Sequence, residues 1–438
     1  MHQPVKLQIV SRNLPFGLNY DGSSTYLMDF LRYLQQKDFE IECILLDASP
    51  GGKLPWYVLP STLRKIMNIS ARYNFRFSYI LIKYRSWLDW LIAPLWLVYV
   101  LLPEKIKFFY LVIKNKLRSI YRHVASSTDN QSQTWDALPT LEELNFVKSQ
   151  FARFKPDVVI ANYSWLGGVL DTLTHHKTVL KVIVTHDIIH QRVDLFKKAE
   201  TVSNHSDWDW QKESTQLRKA QVLLAIHEED ARELKEMAPQ SDVICMPMSA
   251  VCHSHTVRQV PGRCLFVGSA ADHNFYGLQW FLGNVWPIVV QSAPYCSLHI
   301  CGTVSDLIRE TFPNVRFLGR VDNLEPEYSA AEVCLVPLPV GSGLKIKLVE
   351  ALSYGRACVS TSIGVQGLWD IAGSAVLVAD TAENFAAAVH LLLTNPDKRQ
   401  WMEEQACRYV TERLSPEAAY QPFVERIQQH LYQTANRL

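Results

Sequence analysis

A strand, a glycine turn, a helix and a second strand follow one another between residues 336 and 368, in the sequence VPLPVGSGLKIKLVEALSYGRACVSTSIGVQGL. Apolar runs end at Pro337 and Thr361, and apolar residues between them recur at helical spacing from about Leu344 to Tyr354. Two strands joined by a helix of this length run parallel in one sheet. The unit therefore predicts an α/β fold whose chemistry lies on the glycine turn.

The turn of this unit has the features of an anion-binding site. It is built on Gly341, Ser342 and Gly343, and a glycine lets the backbone approach a ligand because no Cβ intervenes. The first N–H groups of the following helix, and its dipole, favour an anion. Lys345 and Lys347 add two cations at the helix end where the dipole disfavours them, which an anionic ligand would explain. An ordinary βαβ unit with a solvated helix start is the alternative.

Glu350 lies one turn along the predicted helix, where a carboxylate can accept hydrogen bonds from sugar hydroxyls. A second glycine-bearing loop follows the next strand. The stretch closely resembles the donor-binding signature of the family 4 (group 1) retaining glycosyltransferases. In that family a helix with Glu-Ala-Leu or Glu-Ala-Met leads into a Val-Val-Ser/Thr strand and a glycine-bearing loop. The resemblance implies that Glu350 binds the nucleotide ribose and that Gly364 and Gly367 line the donor site.

One position departs from the pattern of many family members. They carry a second glutamate eight positions before the first, close to the donor sugar, and Ser342 stands there in this chain. A subgroup replaces that glutamate with a Gly-x-Lys-x-Lys arrangement, which Gly343, Lys345 and Lys347 resemble. The resemblance therefore implies nucleotide-sugar binding in which the two lysines act on the phosphates.

The start of the chain predicts a second Rossmann-like unit. Strands at Val5–Val10 and Ile41–Leu46 flank a glycine-bearing loop and a helix from Thr25 to Gln35. No Gly-x-Gly-x-x-Gly occurs there, which argues against a dinucleotide dehydrogenase. The resemblance places Gly22 in the loop that faces donor and acceptor.

Four further strands are predicted in the first half of the chain, at Asp157–Ala161, Lys181–Thr185, Gln221–Ile226 and Asp242–Met246. The turn THDIIHQR follows the second of them, and parallel sheets bind ligands just past the carboxyl ends of their strands. In the resembling family a histidine of such a turn contacts the donor sugar near the reacting carbon, and His186 matches it. Asp187 and Arg192 would support it, whereas a capping or packing histidine is the alternative.

The second half predicts another parallel sheet, with strands at Cys264–Val267, Ser297–Cys301, Val315–Leu318, Val333–Pro337, Ala357–Thr361 and Ala375–Val378. Gly268 matches the first glycine turn of the family's C-terminal domain. Ser269 and Asn274 stand where many members carry arginine and lysine, so Lys345 and Lys347 would have to supply the positive charge. Arg320 lies in the loop where the family holds the nucleotide base, although a surface position is equally compatible.

A basic and aromatic segment interrupts the alternation between residues 53 and 122. It contains thirteen lysines and arginines against only Asp89 and Glu104, with many tryptophans and tyrosines between them. Its apolar core, WLDWLIAPLWLVYVLL, is shorter than the roughly twenty residues that cross a bilayer. This composition predicts peripheral contact with an anionic membrane, with a helical insertion packed on the domain as the alternative.

The whole chain fits a two-domain protein of 438 residues. We expect an N-terminal domain over 1–250 with an insertion at 53–140, a C-terminal domain over 251–415, and a helix over 416–438 that crosses back. A formal net charge of +1 argues against nucleic acid as a partner. The first residues enter a strand without a signal peptide, and nine scattered cysteines predict free thiols in a reducing cytoplasm.

The predicted activity is transfer of a sugar, with retention, from a nucleotide-diphosphate sugar to a saccharide or lipid-linked acceptor, for cell-envelope polysaccharide or glycolipid synthesis. No metal or other cofactor is expected, because the CHSH sequence at residues 252–255 fits no standard zinc site. Two alternatives remain open: a nucleotide-sugar epimerase or phosphorylase of the same fold, and a catalytically silent binding homologue.

Overall fold

The fold is described by a computed structural model that covers residues 4–12, 22–46, 56–57, 60–79, 82–83, 136–174, 176–198, 208–253, 258–341 and 343–436. Most of the basic aromatic segment, including all of residues 84–135, lies outside the described residues, and so does Ser342. No helix within the described ranges is both long enough and apolar enough to cross a bilayer.

The N-terminal domain is built on a seven-stranded sheet in the order β4-β2-β1-β6-β7-β8-β9, with every neighbouring pair parallel. Its strands, with the short antiparallel pair β3 and β5, are β1 (Val5–Ser11), β2 (Phe39–Leu45), β3 (Trp56–Tyr57), β4 (Arg76–Tyr79), β5 (Ile82–Lys83), β6 (Val158–Asn162), β7 (Leu180–Val184), β8 (Val222–Ala225) and β9 (Asp242–Cys245). The accompanying helices are α1 (Gly22–Gln36), α2 (Pro60–Tyr73), α3 (Leu141–Phe154), a 3-10 helix (Ser164–Leu173), α4 (Ile189–Lys198), α5 (Trp210–Leu217) and α6 (Glu228–Met237).

The C-terminal domain repeats this plan with a six-stranded parallel sheet in the order β12-β11-β10-β13-β14-β15. Its strands are β10 (Arg263–Val267), β11 (Ser297–Cys301), β12 (Val315–Gly319), β13 (Val333–Val336), β14 (Ala357–Ser360) and β15 (Val376–Val378). Its helices are α7 (Asp272–Trp280), which a π-helical turn (Phe281–Val285) joins to α8 (Trp286–Ser292), then a 3-10 helix (Thr303–Leu307), α9 (Glu325–Ala330), α10 (Ile346–Ser353), a 3-10 helix (Trp369–Ile371), α11 (Ala382–Thr394), α12 (Pro396–Tyr409), a π-helical turn (Val410–Leu414) and α13 (Pro416–Ala435).

The central strands of both sheets are buried because helices cover both faces. All five residues of β6 and all four of β13 and β14 are buried, as expected for continuous apolar runs in parallel sheets. A buried ion pair also ties the end of β1 to α3, since Arg12 Nη1 lies 2.6 Å from Glu143 Oε1. The prediction of two Rossmann-like parallel-sheet domains is confirmed.

Strand β4, which lies at one edge of the seven-stranded sheet, was missed by the sequence analysis. Residues from 53 onward were assigned to an insertion, but the alternation continues through α2 to β4, which pairs with β2 at the sheet edge. The pattern was hard to see because Arg76–Tyr79 is short and has no fully buried residue. Basic residues in this stretch therefore belong partly to the domain itself.

The final helix, α13, lies against the N-terminal domain. Tyr33 donates a hydrogen bond of 2.8 Å to Glu417, and Arg426 forms an ion pair of 2.8 Å with Asp242. The Tyr420 ring packs on Phe30 with ring centroids 5.4 Å apart. These contacts join the two domains on the side where the chain ends.

The expectation that all nine cysteines are free was wrong for two of them. A disulfide joins Cys252 to Cys407 across 155 residues of sequence, and the other seven cysteines are free. Cys252 lies in the segment between β9 and β10, which we call the linker, and Cys407 lies in α12. The linker packs against α12 only in the folded chain, so the spacing of these cysteines in the sequence carries no sign of their pairing.

Candidate functional site

The carboxyl ends of the two sheets' strands carry loops that meet between the domains. Gly343, with φ of 68°, lies so close to the first domain that a Cβ on it would stand 2.8 Å from the carbonyl oxygen of His186 and 3.3 Å from Cβ of Asp187. Gly367, with φ of 82°, would place a Cβ 2.7 Å from Cδ2 of His227. We call the region bounded by these five residues the cleft.

The two lysines that follow the glycine turn lie at the start of α10, Lys345 buried and Lys347 half-buried. Lys345 is the residue that precedes the helix; it is 7% exposed and donates a hydrogen bond to the carbonyl oxygen of Gly343. Its Nζ also lies 3.3 Å from Oε1 of Gln366. Lys347 donates to Oδ1 of Asn274 and lies 4.8 Å from the centre of the Phe266 ring.

Burial makes the charge on both lysines costly. It lowers the pKa of Lys345 to about 8, although Asp187 and Asp230 act in the opposite direction. Burial, and then repulsion from Lys345, lower the pKa of Lys347 to about 7. An anion bound here would stabilise two cations that the protein alone stabilises poorly.

His273, in the first turn of α7, experiences the same positive field. Burial, followed by Lys347 and Lys345, lowers its pKa to about 3. The imidazole is therefore neutral at physiological pH and can donate or accept hydrogen bonds there. Sequence reasoning missed this histidine, although it lies one position before Asn274, at the start of the helix that follows β10 and its glycine turn.

Glu350 is oriented by an aromatic stack. The hydroxyl of Tyr328 donates a hydrogen bond of 3.0 Å to Oε2, and the Tyr328 ring stacks on Tyr354 with centroids 4.8 Å apart. Tyr354 stacks in turn on His253 of the linker. Burial raises the pKa of Glu350, while Tyr328 and Lys347 oppose that rise. The carboxylate is thus fixed in direction with one oxygen already engaged.

Glycines follow three neighbouring strands of the C-terminal sheet at its carboxyl edge. The N–H of Gly268 donates to the carbonyl of Cys301 at 2.9 Å, and the N–H of Gly302 donates to Gly319 at 2.6 Å. Gly302 has φ of 100°, and a Cβ on it would overlap the carbonyl oxygen of Gly268. Sequence reasoning missed Gly302, although Cys-Gly-Thr directly after an apolar strand was a usable signal. Arg320 follows Gly319, the last residue of β12, and its side chain is exposed.

His186 lies directly after β7 in an aromatic pocket. Its Nε2 is 2.8 Å from Oδ1 of Asn162, and because Nδ2 of Asn162 donates to Ser11, Oδ1 is the acceptor and Nε2 carries the proton. The ring packs on Tyr163 at 4.2 Å and on Tyr26 at 5.3 Å. Asn162 is the last residue of β6 and Tyr163 follows it, and the sequence analysis singled out neither.

The remaining residues of the predicted site have different positions. Asp187 accepts from Arg192 at 2.6 Å beside the cleft. Gly341, with φ of 140°, adjoins the side chain of Lys345. Gly22 begins α1. Gly364 packs inside its own domain, where a Cβ would overlap Oγ of Ser360.

Sequence reasoning also missed His227 and Asp230. His227 precedes α6, and its Nδ1 accepts a hydrogen bond of 3.2 Å from the N–H of Asp230. The residues follow the buried strand β8 directly, so their place at the carboxyl edge of the sheet was predictable from the sequence. No group of three or more histidine, cysteine and acidic residues within the described ranges is placed to hold a metal ion.

Two Rossmann-like domains with facing carboxyl edges, joined by a final helix, define the GT-B class of fold. Residues 261–395 match a family model described as "Glycosyl transferases group 1". This segment contains the glycine turn, both lysines and Glu350. The C-terminal domain thus carries the group 1 glycosyltransferase pattern on a GT-B fold.

Solved structures share the fold over nearly the whole chain. Sucrose-phosphate synthase from Thermosynechococcus elongatus is 14% identical with a TM-score of 0.61, covering 97% of this chain and 98% of its own. TarM is 11% identical with a TM-score of 0.62, covering 97% and 98%. Anabaena HepE in complex with UDP is 10% identical with a TM-score of 0.60, covering 97% and 100%. At these identities the likeness concerns the fold alone.

A curated relative matches part of the chain. An "uncharacterized 44.6 kDa protein in cps region" of Klebsiella pneumoniae is 28% identical over 134 residues, which is 28% of this chain and 34% of the relative. The chain therefore matches about a third of that protein's length.

Proposed function

We propose that the protein is a retaining glycosyltransferase that moves a sugar from a nucleotide-diphosphate sugar to a saccharide or lipid-linked acceptor. The observation that carries this proposal is the pair of lysines at the start of α10 whose charge is disfavoured by desolvation, within the segment that matches the group 1 model. Solved HepE structures hold UDP, glucose or UDP-glucose, and a TarM structure holds UDP with saccharides. The relative from the cps region favours envelope polysaccharide or glycolipid synthesis as the setting.

In this proposal the lysines are the main catalytic cations. Lys345, Lys347 and the first N–H groups of α10 stabilise the departing diphosphate, and this supply of positive charge requires no metal ion or other cofactor. His186 lies beside the donor sugar on the opposite wall of the cleft, with Asp187 and Arg192 as support. The acceptor hydroxyl attacks the anomeric carbon on the face from which the diphosphate departs, its proton passes to an oxygen of the leaving phosphate, and the configuration at the anomeric carbon is therefore retained.

The donor-binding residues divide by what they would contact. Glu350 holds the ribose, and the edge formed by Gly268 and Arg320 receives the base. Gly341, Ser342, Gly343 and Gly367 surround the diphosphate and sugar, Gly364 shapes that loop from within, and Gly22 faces donor and acceptor from the first domain.

A panel of nucleotide sugars tests this function directly. We expect one nucleotide sugar to bind the purified protein by calorimetry and to be hydrolysed slowly or transferred when an acceptor extract is added, with an α-linked product from an α-linked donor detected by NMR. Conversion of the sugar without release of nucleotide would favour an epimerase, and phosphate-dependent release of sugar would favour a phosphorylase. Binding without turnover in the presence of acceptor would favour a silent homologue.

Donor binding should weaken as the pH rises. Burial lowers the pKa of Lys345 to about 8 and that of Lys347 to about 7, and a bound diphosphate would raise both. Protons are therefore taken up on binding, and affinity for a nucleoside diphosphate should fall as the pH rises from 7 to 9. Calorimetry in two buffers of different ionisation enthalpy measures this uptake at pH 7.5. Binding without proton exchange there, or affinity that rises with pH, would contradict it.

Glu350→Gln should remove discrimination for the ribose. A neutral amide accepts hydrogen bonds more weakly than a carboxylate, so we expect affinity for UDP to fall about tenfold while affinity for 2′,3′-dideoxy-UDP changes little. Tyr328→Phe is the matched variant, because it removes only the hydroxyl that orients Oε2 and should have a smaller effect of the same kind. Equal losses for both nucleotides would assign Glu350 a structural role.

The acceptor proposal includes peripheral contact with the inner face of an anionic membrane through residues 53–122. Basic residues near such a surface contribute about 1 kcal/mol each, and salt screens them. The protein should therefore bind anionic vesicles at low salt, lose much of that binding at high salt, and bind neutral vesicles poorly. Reversing the charge of Lys105, Lys107, Lys114 and Lys116 should abolish the part that depends on salt. If the protein ignores anionic vesicles at low salt, the segment is a packed insertion.

A further inference from the structure

A second polar group faces the cleft from the N-terminal domain. His227 and Asp230 are 2% and 5% exposed. Because Nδ1 of His227 accepts from the N–H of Asp230, the proton of the neutral ring lies on Nε2. That Nε2 atom and Oδ2 of Asp230 are both buried without a hydrogen-bond partner, and they stand 3.4 Å apart as a loose contact. Buried polar atoms normally have a hydrogen-bond partner, so two neighbouring buried atoms without one need an explanation.

The pair lies against the loops that the C-terminal domain contributes to the cleft. A Cβ on Gly367 would stand 2.7 Å from Cδ2 of His227, the ring carbon next to Nε2. The ammonium group of Lys345 acts electrostatically on both His227 and Asp230. The unpaired atoms are therefore at the junction of the domains, next to the glycine turn and not in the interior of the N-terminal domain.

The pair differs from the lysines in charge. Burial, then Lys345, lower the pKa of His227 to about 4, and burial, then Asp187, raise the pKa of Asp230 to about 8. Both groups are thus largely uncharged at pH 7, with an N–H that donates and a carboxyl group that donates and accepts. A phosphate suits the lysines, whereas an uncharged donor and acceptor side by side suit hydroxyl groups.

We propose that His227 and Asp230 are a specificity-determining pair that binds hydroxyl groups of the donor's sugar. This inference rests on the proposed function. It identifies the part of the N-terminal domain that recognises the sugar. It assigns sugar recognition to the start of α6, with His227 just before the helix and Asp230 in its first turn, on the wall of the cleft opposite the glycine turn. The pair contributes to selection among sugars and not to binding of the nucleotide.

Two substitutions test the pair with little disturbance of the fold. His227→Ser keeps a side-chain oxygen that can accept from the N–H of residue 230 at the helix start, so the cap is retained while Nε2 is removed. Asp230→Asn keeps the size of the side chain and changes its hydrogen-bonding pattern. Glu228→Gln is the control, because it alters an exposed carboxylate in the same helical turn. Thermal melting of each variant identifies any loss of fold.

The measurement is the affinity of each variant for UDP and for UDP-glucose, UDP-galactose and UDP-N-acetylglucosamine, with the corresponding GDP series if the wild-type protein prefers guanine. We expect affinity for the bare nucleotide to stay within twofold, while the preferred nucleotide sugar loses about tenfold and its advantage over its epimer shrinks. The control should match the wild type.

The possible failures are distinct. If the wild-type protein binds no nucleotide, the proposed function and this inference both fall. If it binds nucleotide sugars but both variants reduce bare-nucleotide and nucleotide-sugar affinity by the same factor, or reduce neither, the inference alone is overturned. A wild-type protein that binds the nucleotide sugar no more tightly than the nucleotide also overturns it.

Discussion

Replacing Lys345 and Lys347 together with alanine is expected to lower affinity for a nucleoside diphosphate by about 10²–10⁴-fold. Each lysine would provide a charge-assisted hydrogen bond of roughly 1.5–3 kcal/mol to the phosphates, and 1.4 kcal/mol corresponds to a factor of ten. The loss should be larger than for an exposed lysine because both ammonium groups are already desolvated before the ligand arrives. Calorimetric titration with UDP or GDP measures it.

The folded state should survive the double substitution. Each buried lysine costs desolvation energy in the free protein, so its removal relieves the fold of an unfavourable charge while it costs packing of the aliphatic chain. Lys148→Ala, at an exposed position on α3, is the matched control and should leave affinity unchanged. Nucleotide affinity in the double variant equal to that of the control would remove the phosphate site from this turn.

The single variants should differ. Lys345 lies near Asp187 and Asp230 of the opposite domain, so its removal also weakens the attraction between the domains. Within the part of the chain that the structure describes, Lys347 contacts Asn274 and the Phe266 ring, both of its own domain. Lys347→Ala should therefore weaken nucleotide binding and slow transfer through the lost phosphate contact alone, whereas Lys345→Ala should lower the rate of sugar transfer further.

The two sheets were predictable because their signal is local. Runs such as VVIAN and VCLV are short, apolar and bounded by polar turns, and they became β6 and β13 as expected. The strand, glycine turn, helix and strand from residue 333 to residue 360 were predicted for the same reason. Strand Arg76–Tyr79 has no buried residue, so its sequence carried no such signal and it was absorbed into the insertion.

The contacts between domains could not be predicted from local patterns. Gly343 meets His186, and Gly367 meets His227, across more than a hundred residues of sequence in each case. Each loop has a glycine that can be seen in the sequence, but the residues of the other domain that pack against that glycine cannot be. Lys345 is buried partly because the loops of the two domains meet, and burial lowers its pKa. Its pKa therefore could not be predicted from the sequence either.

Position 274 illustrates how the structure adds to the resemblance. Many members of the resembling family carry lysine there, and this chain has asparagine. The ammonium group of Lys347 reaches from α10 to Oδ1 of Asn274 and so lies beside that position. A cation is thus brought to the same neighbourhood from a different helix, which a motif comparison made position by position does not reveal.

Gly343→Ala should lower the rate of sugar transfer by about 100-fold while leaving nucleotide affinity within a few fold. The new Cβ would stand 2.8 Å from the backbone oxygen of His186, which cannot rotate away as a side chain can. The domains would have to separate slightly, and a misplacement of about 1 Å between reacting groups costs on the order of 10²-fold in rate. Nucleotide binding should persist because Lys347 and Glu350 lie in the C-terminal domain. The comparison is of kcat/KM with the preferred donor against the dissociation constant of its nucleotide.

Gly373→Ala is the control that separates this contact from backbone strain. Gly373 has φ of 80° and Gly343 has φ of 68°, so each alanine adopts a left-handed conformation that costs about 1–2 kcal/mol. A Cβ on Gly373, however, meets no atom within 4 Å. Gly373→Ala should therefore lose thermal stability through backbone strain alone and keep transfer, whereas Gly343→Ala should lose transfer as well. Equal losses of transfer in the two variants would mean that the approach of Gly343 to His186 is not part of the active arrangement.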